Sequence, residues 1–386
     1  MLFNAFTKLS NTYFWYFAVL GLSVPFLAVF LDGRGFNSVE IGEMLAIITA
    51  TRIFGPTLWA MFADKTGKQL PIIRLGAFLA FITFSLVIFT DSYWGLTLAL
   101  ALFSLFWTAI LPQLEVLTLG SIRRSAKIYA RIRLWGSVGF IVLAVISGEL
   151  VDRYSADVFI AIGAFILLML WLSTLFQRQP RLVRPRTHSE GSILERLIQP
   201  RFIYFFLAGL LLQISFGPYY AFFGMFIRQL DYPSYAIGLF ISVGVIAEIG
   251  IFIIAGRLFQ WFGIKPLIFF SLFLTAIRWY LTGFYGDIPW ILVLAQIAHA
   301  AGFGLYHSAS MQFIQQHFAS NEQNRGQAIY IGGVYGIGGA IGAYAAGVYW
   351  LDGDGATYTF ALAAIAAGVA ATLALCIPNE RSHTQS

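Results

Sequence analysis

Residues 111–140 read LPQLEVLTLGSIRRSAKIYARIRLWGSVGF. Glu115 falls inside an apolar run, and eighteen residues later Arg133 opens another. Between them lies a basic turn with Arg123, Arg124, Lys127 and Arg131. A carboxylate and a guanidinium at similar depth on antiparallel neighbours can form an ion pair with forked geometry. Such a pair either fixes packing or holds a polar ligand. A second set follows, with Glu248, Arg278 and His299 each in a separate apolar run. Burial raises a carboxylate's proton affinity and a nearby arginine lowers it, so this set could load and release a proton. A packing pair of Glu248 with Arg278 is the plainer reading. Arg52 is the fifth charge inside an apolar run. Three arginines against two glutamates leave one positive charge in excess, which suits an anionic ligand. His307 lies eight residues after His299, near the same helix face, and lines the same cavity or is satisfied within the core. No Cys, Asp or Glu in that segment completes a ligand set, so no metal site is expected.

These residues sit in a chain of 386 residues that is 59% hydrophobic and only 11% charged. Soluble domains carry about 25% charged residues, so this is an integral membrane protein. Its apolar stretches are about 20 residues long, which favours helices over the shorter alternating strands of a barrel. Twelve segments can be drawn, at 11–31, 40–62, 70–90, 93–119, 130–151, 156–176, 201–227, 235–258, 265–284, 288–314, 327–349 and 356–377. An even count puts both termini on one side. Lys65, Lys68, Arg74, Arg123, Arg124, Lys127, Arg178, Arg257 and Lys265 crowd the loops of that side, against only Arg34, Arg153 and Arg228 opposite. The basic side is therefore expected to be cytoplasmic, in the inner membrane. The net charge of +6 reflects this anchoring and not nucleic-acid binding. The first run is longer than a signal-peptide core and is kept as a spanning helix. The single cysteine, Cys376, excludes an internal disulfide.

The chain divides into 1–176, a polar and basic linker at 177–200, and 201–386. At an offset of 196, Ile41-Gly42 meets Ile237-Gly238, Gly67 meets Gly263, Trp94 meets Trp290 and Gly136 meets Gly332. One register across four segments indicates a parallel duplication. The expected fold is all-α, with twelve transmembrane helices in two pseudo-symmetric six-helix bundles around a central cavity.

At this point the chain resembles the major facilitator superfamily. ADKTGK at 63–68 is similar to that family's loop motif G-x-L-A-D-R-x-G-R-K, matched at Asp64, Lys65, Gly67 and Lys68. The resemblance implies a conformational latch there; a solvated turn with a glycine helix stop is the alternative. ARIRLWGSVGF is similar to the fifth-helix motif of the branch that holds 3-phenylpropionic acid transporters and nucleoside symporters and is related to lactose permease. It implies substrate roles for Glu115 and Arg133. Trp135 joins them as a candidate, although packing or interfacial anchoring explains it equally well, and His307 completes the substrate set. AIRWYLTGF and AQIAHAAGFGLYHSASM resemble the family's proton-coupling helices, which implies that role for Arg278 and His299. The permease glutamate three residues after the histidine is Gly302 here, so Glu248 becomes the leading proton carrier.

The expected function is proton-coupled symport of a small organic substrate, such as an aromatic acid, by alternating access. Sugar or nucleoside symport and drug–proton antiport stay open. An enzyme is not expected, since no HExxH or Ser/Lys pair occurs within the apolar segments. No cofactor is expected; the partners would be substrate, protons and the bilayer, with the chain a monomer.

Overall fold

Twelve helices long and apolar enough to cross a membrane run through the computed structural model, which describes residues 2–122, 125–179, 193–319 and 322–378. In the amino-terminal half they are α1 (Ala5–Gly33), α2 (Ser38–Ala63), α3 (Gln69–Phe89), α4 (Tyr93–Ser121), α5 (Lys127–Arg153) and α6 (Val158–Leu175). In the carboxy-terminal half they are α7 (Pro200–Gln229), α8 (Ser234–Phe262), α9 (Ile264–Tyr285), α10 (Pro289–His317), α11 (Arg325–Gly353) and α12 (Ala356–Leu375). Each overlaps one predicted segment. No strand occurs among the described residues. A helix satisfies its own backbone groups, as hydrocarbon requires. Of the linker, residues 180–192 lie outside the described residues, as do Arg123 and Arg124 of the basic turn.

Local chemistry sets the helix ends. Asn37 and Glu40 form a reciprocal capping box at the start of α2, with both hydrogen bonds at 3.0 Å. At its other end Gly67 takes φ 66°, a left-handed cap that glycine adopts without a Cβ penalty. The repeat-related Gly263 stops α8 at φ 75°. The predicted segments read as uninterrupted, and here the structure differs. The α4 helix breaks between Trp107 and Ile110, and α7 breaks at Phe216 ahead of Gly217-Pro218. The wide turns of π-helix occupy Ala300–Leu305 in α10 and Ile331–Gly338 in α11. Each such turn shifts the register of every side chain beyond it.

The two halves meet along two related seams. In one, Gly42 of α2 faces Gly347 of α11, where a Cβ on Gly42 would come 2.7 Å from the Gly347 Cα. In the other, Gly238 of α8 abuts the Ala144 carbonyl of α5, and a Cβ on Gly148 would come 2.5 Å from the Ser234 carbonyl oxygen. Small residues permit this approach. At the end of each seam an aspartate of one half caps a helix of the other. Ser38 N donates to Asp352 Oδ1 at 2.7 Å, and Ser234 N donates to Asp152 Oδ2 at 2.8 Å. A carboxylate is favoured at a helix N-terminus. Ser38 and Ser234, like Gly42 and Gly238, are 196 residues apart, so the repeat seen in the sequence is the pseudo-twofold of the seams.

All these contacts lie toward the end of the molecule that carries the aspartates. Toward the basic end the packing loosens. A Cβ on Gly250 or Gly256 of α8, or on Gly332 of α11, would meet nothing within 4 Å. Phe252, Ile253, Trp261 and Phe262 of α8 and Leu58, Met61 and Phe62 of α2 are exposed there. The seam contacts that join the halves lie at the acidic end, while at the basic end these parts of α2 and α8 are exposed.

Candidate functional site

Every charge expected inside the apolar runs does lie in a spanning helix, but the partners differ from the expected ones. Arg133 sits in α5 with its guanidinium over the Phe17 ring of α1, Cζ 3.7 Å from the centroid. Gly136 makes room for this stack, since a Cβ there would lie 2.5 Å from Phe17 Cδ2 and 3.0 Å from Arg133 Nη1. Glu115 of α4 accepts a hydrogen bond from Tyr129 Oη at 3.1 Å. The expected ion pair between Glu115 and Arg133 is not formed: no N–O contact within 4.0 Å joins them. The cation has found the quadrupole of a ring, a contact of about 0.5–2 kcal/mol depending on desolvation. Glu115 stays within electrostatic reach of Arg133.

Trp135 does not join this group. It is 46% exposed on a stripe of α5 with Leu134, Val138 and Ile146. Two residues turn a helix by roughly 200°, so the indole leaves on the far side from the Phe17 contact. That exposed stripe lies away from the Arg133–Phe17 contact. The anchoring reading of Trp135 fits this position and the substrate reading does not.

In the other half, Glu248 of α8 meets His299 of α10, Oε1 to Nε2 at 2.7 Å. The expected Glu248–Arg278 pair is not formed. Arg278 of α9 is fully buried and caged by rings, with Cζ 4.1 Å from the Trp279 centroid, 4.2 Å from Tyr219 and 5.6 Å from Phe216. Its Nη2 donates weakly to Gln296 Oε1 at 3.5 Å, an oxygen that also accepts from Tyr219 Oη at 2.9 Å. Its Nε and Nη1 have no hydrogen-bond partner among the described residues. Three ring contacts of about 0.5–2 kcal/mol each are of the same order as the roughly 2.5–3.5 kcal/mol cost of inserting an arginine at a helix centre. The cage therefore tolerates an arginine that has no carboxylate at hand.

His307 hydrogen-bonds through Nδ1 to Tyr335 Oη at 3.0 Å. Phe303 lies parallel to both histidine rings, 5.5 Å from His299 and 6.4 Å from His307. The eight-residue spacing of the two histidines is thus the pitch of a ring column within α10. Among the described residues no group of three metal-ligating side chains forms.

The motif at 63–68 closes α2 with the Gly67 cap, and Lys65 and Lys68 are exposed. The Asp64 side chain lies outside the described residues. Sequence reasoning missed the rings that receive the arginines, namely Phe17, Tyr219 and Trp279, and it missed Tyr129. The run NTYFWYF at 11–17 was the available signal, because its rings recur at one helix face as Tyr13 and Phe17.

Residues 6–362 match the MFS_1 like family. The "Probable 3-phenylpropionic acid transporter" of Escherichia coli (strain K12) is 28% identical over 373 residues, covering 92% of this chain and 94% of that protein. The maltose permease of Geobacillus stearothermophilus is 26% identical over 338 residues, covering 86% and 83%. Among solved structures, a mutant form of the nucleoside transporter NupG superposes with a TM-score of 0.83 at 18% identity, covering 97% of this chain and 98% of its own. That last likeness establishes the shared fold.

Proposed function

The chain belongs to the MFS_1 like family of major facilitator transporters, and on that premise we propose that it carries a small organic acid together with a proton. The relatives' printed names cover an aromatic acid, a sugar and nucleosides, so the cargo has to be argued from the site. The observation that carries the reading is the Glu248–His299 contact at 2.7 Å, next to an arginine that has no carboxylate partner. One proton fits between an imidazole and a carboxylate. With it the pair is neutral; without it the pair carries one negative charge. Arg278 lies within electrostatic reach of Glu248. Loading the proton therefore uncovers the charge of Arg278 and makes the cavity more positive, which favours entry of an anion. Anion and proton cross together as a neutral load, and release of one weakens the hold on the other.

In this reading Glu115, Arg133 and His307 contribute to substrate contact, while Glu248, His299 and Arg278 couple the proton. Residues 1–176 and 201–386 rock against each other on the two seams, tethered by 177–200. The loop with Asp64, Lys65, Gly67 and Lys68 latches the basic end when it closes. That end faces the cytoplasm, with the chain a monomer in the inner membrane. Sugar or nucleoside symport is the second reading, favoured by the hydrogen-bonding capacity of Glu115 and Gln296.

The test uses purified protein in liposomes with a pH-sensitive dye inside. Organic acids, sugars and nucleosides are supplied in turn, with protein-free liposomes correcting for passive acid entry. Protein-dependent proton uptake with an organic acid is expected. Uptake with sugars or nucleosides alone selects the second reading. Substrate entry with no proton movement overturns the coupling.

A further inference from the structure

Arg52 of α2 has no place in the scheme above, and its surroundings single it out. The side chain is solvent-accessible; it lies near the Trp107 ring of α4 and within electrostatic reach of Tyr16 of α1 and Tyr220 of α7. An exposed guanidinium within electrostatic reach of tyrosines from both halves is placed to meet a ligand between them. Among the described residues no carboxylate lies within ion-pair distance of it. Its Cζ stands 5.8 Å from the Trp107 centroid. Trp107 is itself stacked on Tyr16 at 4.5 Å with an interplanar angle of 6°. The indole is 7% exposed, and its Nε1 is a buried donor without an acceptor among the described residues. A buried indole N–H usually finds a partner. The neighbouring backbone adds to the pattern, because α4 breaks directly after Trp107.

Thus a guanidinium without a counter-ion and an indole N–H without an acceptor belong to one stacked group, in the middle of a membrane-spanning bundle. Both are donors, and both lack what a carboxylate supplies, namely an anionic acceptor with two oxygens. Unpaired arginines at such depth mark substrate paths, and arginine suits planar carboxylates. We propose that Arg52 and Trp107 form the anchor for the carboxylate of the transported acid, with Tyr16 and Tyr220 flanking it from opposite halves. A ligand held there neutralises the cavity cation that has no internal partner. It also touches α7 through Tyr220, so binding and closure of the halves become linked. The inference rests on the organic-acid reading and names the subsite that reading requires.

The test measures binding to the purified full-length protein by calorimetry. The probes are benzoate, 3-phenylpropionate and hexanoate, each set against its own primary amide. The wild type is expected to prefer at least one acid over its amide. R52Q should cut that acid's affinity by roughly tenfold or more and bring the acid-to-amide ratio to about one. W107F keeps a ring but loses the N–H, and should lower the ratio by a few-fold. Detectable amide binding by R52Q reports that the variant is folded; if it binds neither probe, R52K is used, and it should keep part of the acid preference. A wild type with no acid preference overturns both this anchor and the organic-acid reading. A wild type that prefers acids, with R52Q or R52K retaining the full preference, overturns the anchor alone.

Discussion

In the amino-terminal half, Arg133 lies over one ring and Arg52 over another, and Glu115 answers to a tyrosine hydroxyl. In the carboxy-terminal half, Glu248 and His299 are joined at 2.7 Å, and Arg278 is sealed in a cage of three rings. The charges of the first half keep some solvent exposure, and in the reading proposed above a ligand takes a place beside each ring. The second half holds its His299–Glu248 pair largely buried, where the proposed proton exchange is only weakly screened by solvent. Yet the seams joining these halves repeat nearly residue for residue, with Ser38 and Ser234, and Gly42 and Gly238, in matching places. The duplicated seams have stayed alike, while the polar centres have diverged in their contacts.

The largest expected effect comes from Glu248→Gln. Gln keeps the shape but cannot release a proton. Accumulation driven by a pH gradient should fall by about 100-fold while exchange between equal pools survives, as expected when a general acid–base group is removed. Parallel assays of exchange and pH-driven uptake check this. Full accumulation by this variant would erase the division of labour between the halves, and His299 would then be the remaining proton carrier.

The seams predict a symmetric response. A valine at Gly42 or at Gly238 must push backbone away, at a cost of about 1–3 kcal/mol to the arrangement closed at the acidic end. Either variant should shift the population toward opening there by roughly 5- to 100-fold. Labelling of cysteines introduced at the acidic end measures the shift. Two variants with very different shifts would show that the seams are not equivalent.

Arg133→Lys tests the amino-terminal centre. Lysine retains charge but loses the planar fork and the flat face against Phe17, so ligand affinity should drop by about tenfold with the fold intact. Glu115→Gln should have the smallest effect, a few-fold change, because Gln can still accept from Tyr129. Equilibrium binding to both variants checks the order. Unchanged affinity in Arg133→Lys would remove Arg133 from the ligand site and leave Arg52 as the amino-terminal arginine to consider.

Much of this architecture was legible beforehand. The twelve spans, the halves and the 196-residue register all appear in the sequence, and the matched Gly42 and Gly238 both sit on a seam. The partners of the buried charges were not legible. Glu115 and Arg133 were expected to pair and do not; of the set Glu248, Arg278 and His299, the direct contact is Glu248 with His299 and not the packing pair with Arg278. The caps by Asp152 and Asp352 were not legible, because a loop aspartate does not name the helix it will cap.

Spanning a bilayer is decided locally, since the transfer free energy of some twenty side chains adds up within one window of sequence. The chain alone therefore determined how many helices there are, where they lie and which of them repeat. Which side chain meets which depends on helix rotation, and each residue turns the helix by about 100°. The breaks at 107–110 and 215–217 and the π turns at 300–305 and 331–338 reset that rotation midway. Only the tertiary structure could decide that Arg133 reaches Phe17, that Trp135 turns outward and that His299 receives Glu248, because those contacts follow from the phase of each helix against its neighbours.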